Sequence, residues 1–195
     1  MNSSTKTLKA RNGLKAKSRL SAKTSLTAKS TLKAKKTIAG SKKNTKSALV
    51  KKADAIFGHY IRLRDSVLVG DKWVGNCIDC DKEIVNRYYD GKKWRWTKSG
   101  NVGHFYSRGY RDLRYDELNC NLQSSYCNAW KDKETMQEGY RKGLALKYGE
   151  DTLEELRGLA VAKGYLGVDE LKEIIDQYKV ALDFYLKEEE NITAS

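Results

Sequence analysis

Cys77-Ile78-Asp79-Cys80 is followed by Gly103-His104-Phe105, then by Asn119-Cys120 and Cys127-Asn128; this window holds all four cysteines and one of the two histidines. Two thiolates on a Cys-x-x-Cys turn can reach one Zn2+ ion, and a structural site needs two further ligands. Cys127 is the natural third. The position that would complete a second Cys-x-x-Cys pair is Ser124, which leaves the fourth ligand open. Cys120 completes a four-cysteine set if the residues up to Cys127 form an open loop, and lies too far along if they are helical. The plainer reading is a metal-free fold with four buried thiols. His104, on a short strand, brings an imidazole that takes a proton from water near neutral pH. A buried strand histidine with no catalytic role is the competing reading.

An activated water is one of three things that phosphodiester hydrolysis requires. The others are a cation to stabilise the developing charge and a way to hold the strand. The charge of the chain suits a polyanion. Of its 38 Lys and Arg, 16 lie in residues 1–52, which contain no acidic residue. The remainder is close to neutral, so the net +13 belongs to the N-terminal arm. Nucleic acid is the first partner to expect and an anionic membrane the second. No segment is apolar enough to span a bilayer and no signal peptide is visible, so the expected place is the cytoplasm. In that reducing compartment, clustered cysteines read as metal ligands rather than disulfides.

Residues 1–46 repeat with a period of six, marked by Leu8, Leu14, Leu20, Leu26, Leu32 and Ile38. Six does not match the helical 3.6, and one apolar residue in six cannot offset the entropy of ordering, so this arm is expected to be disordered. Its cations are the nucleic-acid contacts to expect: Lys9, Arg11, Lys15, Lys17, Arg19, Lys23, Lys29, Lys33, Lys35 and Lys36. A merely solubilising tail is the alternative.

The domain proper is placed at 47–190, and its elements must position the window. Leu49, Ala53, Ile56, Tyr60, Leu63 and Val67 predict a helix over Ser47–Leu68. His59 beside that face reads as a packing or surface residue. Strands are expected at Glu83–Tyr89, Trp94–Thr97 and Val102–Tyr106, the first two joined at Asp90-Gly91. Trp94 and Trp96 are expected to cover the metal site, or else to stack on bases. Helices follow over Lys133–Tyr148, from a capping box at Asp151–Glu154, and over Val168–Glu189.

The order Cys-x-x-Cys, Gly103-His104-Phe105, Arg114-Tyr115-Asp116-Glu117, Asn119, Gln123, Cys127-Asn128 and Lys147-Tyr148-Gly149 resembles the NinG (Rap) recombination proteins of lambdoid phages. The resemblance runs from about Ala53 to Leu186 and leaves the hexad arm outside. It implies an α+β protein built on a zinc-supported, HNH-like ββα-metal finger with flanking helices and the disordered basic arm. It also implies a structure-specific endonuclease for branched DNA such as Holliday junctions and D-loops. By the same resemblance His104 is the general base, Asn119 fixes its imidazole by a hydrogen bond, and Asn128 helps to hold a catalytic Mg2+ or Mn2+.

Three positions depart from the family pattern. Asn101 stands where an acid is frequent, Asn121 where a histidine is frequent, and Ser124 where a cysteine belongs. Asp112 or Asp116 is a candidate to replace the missing acid. A DNA-binding recombination accessory with a decayed nuclease centre is therefore the alternative function. Symmetric cutting of a four-way junction would call for a homodimer.

Overall fold

The computed structural model describes residues 45–193. The arm expected over 1–46, with its ten named cations, lies outside the described residues except for its last two. The first helix, α1 (Lys46–Arg64), opens on Thr45, whose hydroxyl accepts the N–H of Ala48 at 3.3 Å. It ends four residues short of the expected Leu68. Val67 and Leu68 belong instead to a strand, β1 (Ser66–Val69), the first of a four-stranded antiparallel sheet. The others are β2 (Lys72–Asn76), β3 (Glu83–Tyr89) and β4 (Trp94–Trp96), in the order β1-β2-β3-β4. β3 and β4 turn at Asp90, whose Oδ1 accepts the N–H groups of Lys92 and Lys93, with Gly91 at φ +85°.

A second, two-stranded sheet follows. β5 (Gly100–His104) pairs antiparallel with β6 (Cys120–Ser124), and His104 lies opposite Cys120. A short helix, α2 (Ser125–Ala129), continues directly from β6. Strand, strand and helix thus follow one another as a ββα unit. Gly103 is required there: a Cβ would run into Gln123 and into Tyr140, which bridges the two strands. The Tyr140 hydroxyl donates to the carbonyls of Gly103 (3.0 Å) and Asn119 (3.2 Å).

Three helices close the fold: α3 (Lys133–Tyr148), α4 (Asp151–Leu159) and α5 (Val168–Thr193). The expected capping box does not form. Asp151 is already helical, and Glu150 precedes it without a side-chain cap bond. α5 packs along α1 through Leu171, Ile175 and Tyr178 against Leu49, Ala53, Phe57 and Ile61. Further along, Glu189 reaches the four-stranded sheet. It accepts the Trp73 indole N–H at 2.9 Å and both prongs of Arg87 at 2.7 and 3.0 Å. Trp94 packs beside Leu63, Trp73 and Leu182, and Trp96 stacks on His59. Neither ring covers the cysteines, which corrects that expectation.

Candidate functional site

Two centres lie on opposite ends of the ββα unit. At one end the sulfurs of Cys77, Cys80 and Cys127 lie within 4.8 Å of one another. The turn after β2 supplies two of them and α2 the third. Cys77 N–H donates to the Lys82 carbonyl and Asp81 N–H to the Cys77 carbonyl, with Asp81 at φ 56°. The knuckle docks on α3, where Gly139 and Gly143 leave room for Asp79 and for the Ile78 backbone. Burial opposes ionisation of Cys77. The N–H groups of Ser124 (3.2 Å), Asp79 and Cys80 aim at its sulfur and hold the thiol below its usual range. Burial pushes Cys127 up to about 12; the Ser124 hydroxyl opposes this, and Asp79 and Cys80 add to it. Three crowded soft donors, with backbone N–H groups arranged for a thiolate, fit Zn2+.

Cys120 does not join them. It lies four residues before Ser124 along β6, about 13 Å of extended strand, and inside the α1–α5 core. Its sulfur faces the carbonyls of Arg114 and Leu113 at 3.6 and 3.9 Å, and burial raises its pKa well above the ordinary value. It is a packed thiol and not the fourth ligand, because residues 120–124 form a strand rather than an open loop.

At the other end a cavity lies between α1, β5 and the loop joining β5 to β6. Its lining includes Asp54, Gly58, His59 and Arg62 of α1, Asn101 and His104 of β5, and Arg108 and Arg114 of the loop. His104 Nε2 lies 3.2 Å from the Arg114 carbonyl. A carbonyl only accepts, so Nε2 carries the proton and Nδ1 keeps the basic lone pair. Burial and the charge of Arg108 bring the imidazole down to about 4, against the pull of the Arg114 carbonyl. The ring is therefore neutral, and able to act as a base, at neutral pH.

Asn119 reaches this imidazole only indirectly, which corrects its expected role. Its Oδ1 accepts Tyr106 N–H at 2.7 Å, and its Nδ2 donates to the carbonyls of Tyr106 (3.0 Å) and Leu113 (2.8 Å). It ties the start of the loop at Tyr106 and its middle at Leu113 to the foot of β6, and so fixes the neighbouring carbonyl that holds His104. Asn128 is exposed on α2 and is not among the residues lining the cavity. Asn101 does line it, with its amide nitrogen on Ser125 Oγ at 3.1 Å. Neither candidate substitute acid does so. Asp112 pairs with Arg111 at 3.7 Å, and Asp116 caps the N–H groups of Leu118 and Asn119.

The third departure has a structural answer. The Asn121 oxygen accepts from Lys147 (2.8 Å), the Tyr148 hydroxyl (2.9 Å) and Arg64 (3.2 Å). The Lys147-Tyr148 pair of the resemblance thus ties the end of α3 to β6. Lys147 also meets Asp65, at 2.6 Å. Burial would raise the Asp65 carboxyl, but Arg64 and Lys147 hold it below its usual range.

The cations of the cavity were missed in the sequence. Arg62 donates to the carbonyls of Asn86 and Thr97 and lies over the Trp96 ring at 4.5 Å. Arg114 is bound to Asp54 at 2.7 Å. Arg108 is exposed and has no ion-pair partner among the described residues. The signal that was present is a second stripe on α1: Asp54, Gly58 and Arg62 recur at steps of four beside the apolar face.

The family described as bacteriophage lambda NinG protein matches residues 2–189. The match takes in the basic N-terminal segment that the motif resemblance left out. No curated protein and no solved structure matches the chain. The Gly-His strand, the asparagine-pinned loop, the three-sulfur cluster and the Lys147-Tyr148 tie all fall inside the matched span, and the chain belongs to the NinG family.

Proposed function

We propose that the protein is a DNA endonuclease that hydrolyses phosphodiester bonds in branched DNA, including Holliday junctions and D-loops. The observation that carries this reading is the His104 imidazole, with Nε2 committed to a backbone carbonyl and Nδ1 basic, in a cavity lined by Arg62, Arg108 and Arg114. His104 Nδ1 takes a proton from water. The water oxygen bonds to phosphorus as the bond to one sugar oxygen breaks, and that oxygen takes a proton from solvent. The arginines stabilise the extra negative charge of the transition state. Tyr126 and Trp130 stand exposed one turn apart around Asn128 on α2, which suits stacking against bases or sugars.

Mg2+ or Mn2+ would supply further charge neutralisation at the phosphate. The side chains present do not make a preformed site for it. Asp54, the acid of the lining, is taken by Arg114 and Tyr115, and Asn128 stands outside. This same observation favours a second reading, an accessory protein that binds branched DNA without cutting it. Zn2+ on Cys77, Cys80 and Cys127 would have a structural part, joining the β2 turn to α2. Two active sites for a four-way junction imply a homodimer, at work in the bacterial host cytoplasm.

Cleavage of branched and linear DNA with Mg2+ or Mn2+ tests the proposal. His104→Ala is expected to lower the rate by at least about 100-fold, the low end of a general-base contribution, while affinity for junctions stays within a few-fold. Asn101→Asp is expected to raise the rate at limiting Mg2+. Wild-type protein that binds junctions but cuts none of them, with Asn101→Asp equally inert, would leave the accessory reading in its place.

A further inference from the structure

The three-sulfur cluster has lost a thiolate at Ser124 and has a carboxylate beside it. Ser124 cannot easily take the missing part. Its hydroxyl is neutral, and already accepts the N–H of Cys127 at 3.2 Å as the N-cap of α2. Asp79, inside the Cys77–Cys80 turn, is different. Its side chain is 0% exposed. One oxygen, Oδ1, is held by Lys131 at 2.8 Å. The other, Oδ2, is buried without a hydrogen-bond partner. A carboxylate oxygen hidden from water and unpaired is costly unless a cation meets it. The same carboxylate lies against the Cys127 thiol.

We propose that Asp79 supplies the fourth ligand of the zinc site formed by Cys77, Cys80 and Cys127, in place of the thiolate missing at Ser124. Asp79 flanks the set of sulfurs beside Cys127 but stands outside the 4.8 Å cluster that they form, so its carboxylate turns inward on metal binding, with Oδ2 as the ligand atom. Lys131, gripping Oδ1, orients the carboxylate as outer partners of metal ligands do. Three thiolates and a carboxylate make a tetrahedral set that Zn2+ accepts. Three thiolates and Asp79 carry four negative charges, of which the ion and Lys131 together offset three. The inference rests on the cysteines holding zinc, and its test separates the two.

The test uses the full chain. Zn2+ affinity is measured by competition with a chromophoric chelator, and ligand type by the absorption spectrum of the Co2+-loaded protein. Wild type is expected to bind one Zn2+ per chain, and Asp79→Asn to bind it at least tenfold more weakly with a shifted Co2+ spectrum. Lys131→Met is expected to weaken binding less than Asp79→Asn and to keep the wild-type Co2+ spectrum, since the carboxylate remains although its orienting partner is gone. Adding Ser124→Cys to Asp79→Asn is expected to restore affinity and to strengthen the sulfur-to-cobalt charge-transfer band, which also guards against a single variant that fails to fold. Asp79→Asn within twofold of wild type and with an unchanged Co2+ spectrum would reduce Asp79 to a partner of Lys131. So would a Lys131→Met variant as damaged as Asp79→Asn. Wild-type protein that binds no Zn2+ would sink the metal reading of the cysteines, and this inference with it.

Discussion

His104 is the residue on which fold and chemistry meet most closely. Its imidazole is brought down to about 4 by burial and by Arg108, against an ordinary value near 6.5. The unfolded chain therefore takes up this proton between pH 6.5 and 4 while the folded protein does not. Stability is full above pH 6.5 and is lost as pH falls through that window. His59 is lowered in the same sense, to about 4, by burial and then by Arg62 and Arg87. For His104 alone the loss between pH 6.5 and 5 is about 2 kcal/mol, at roughly 1.4 kcal/mol per pH unit. Urea unfolding at the two pH values measures it. His104→Gln should lose clearly less stability than wild type over that interval; an equal loss would mean that the imidazole is already protonated in the folded protein.

The β5–β6 pair with its loop is the element that builds the cavity, and Asn119 holds it. The side chain is fully buried and makes three hydrogen bonds to the backbone of Tyr106 and Leu113. Asn119→Ala leaves those groups unsatisfied and should cost about 3 kcal/mol. It should also lower kcat more than KM, because the Arg114 carbonyl no longer fixes the His104 tautomer. Thermal unfolding and steady-state cleavage test both halves. A variant of wild-type stability would show that the loop is held by other contacts, Tyr140 first among them. A residue that bonded only the imidazole would give the opposite pattern, intact stability with impaired cleavage.

Across the whole molecule, charge is divided between a cavity and an arm. Arg62, Arg108 and Arg114 line the cavity where the proposed reaction would take place, whereas residues 1–44 carry 13 Lys and Arg and no acid. Arm cations that neutralise phosphates release counterions, about 0.9 per contact on duplex DNA. Deleting residues 1–44 keeps Thr45, the cap of α1, and should leave the fold intact. It should weaken DNA binding and flatten the plot of log affinity against log salt. An unchanged slope would mean that the arm does not touch DNA. In either case the proposed His104-dependent step is expected to survive at low salt, where the remaining domain still binds DNA.

Local patterns determined much of this protein. The Cys-x-x-Cys turn, the Asp90-Gly91 hairpin, the Lys133–Tyr148 helix and the apolar faces of α1 and α5 follow from short-range spacing, which a sequence displays directly. Single motifs likewise marked His104, Asn119 and Cys127. What these residues touch was decided only by the tertiary structure. Cys120 turned out to be a core thiol because β6 extends, and Asn119 a clamp on a loop because Leu113 and Tyr106 fold back onto it. His59 and Arg62 reach the cavity because α1 lies across β5. Asp79 became a candidate ligand because α3, cleared by Gly139, shuts its carboxylate away from water. Each of these outcomes depends on contacts between segments far apart in the chain, and no local periodicity encodes which of them will meet.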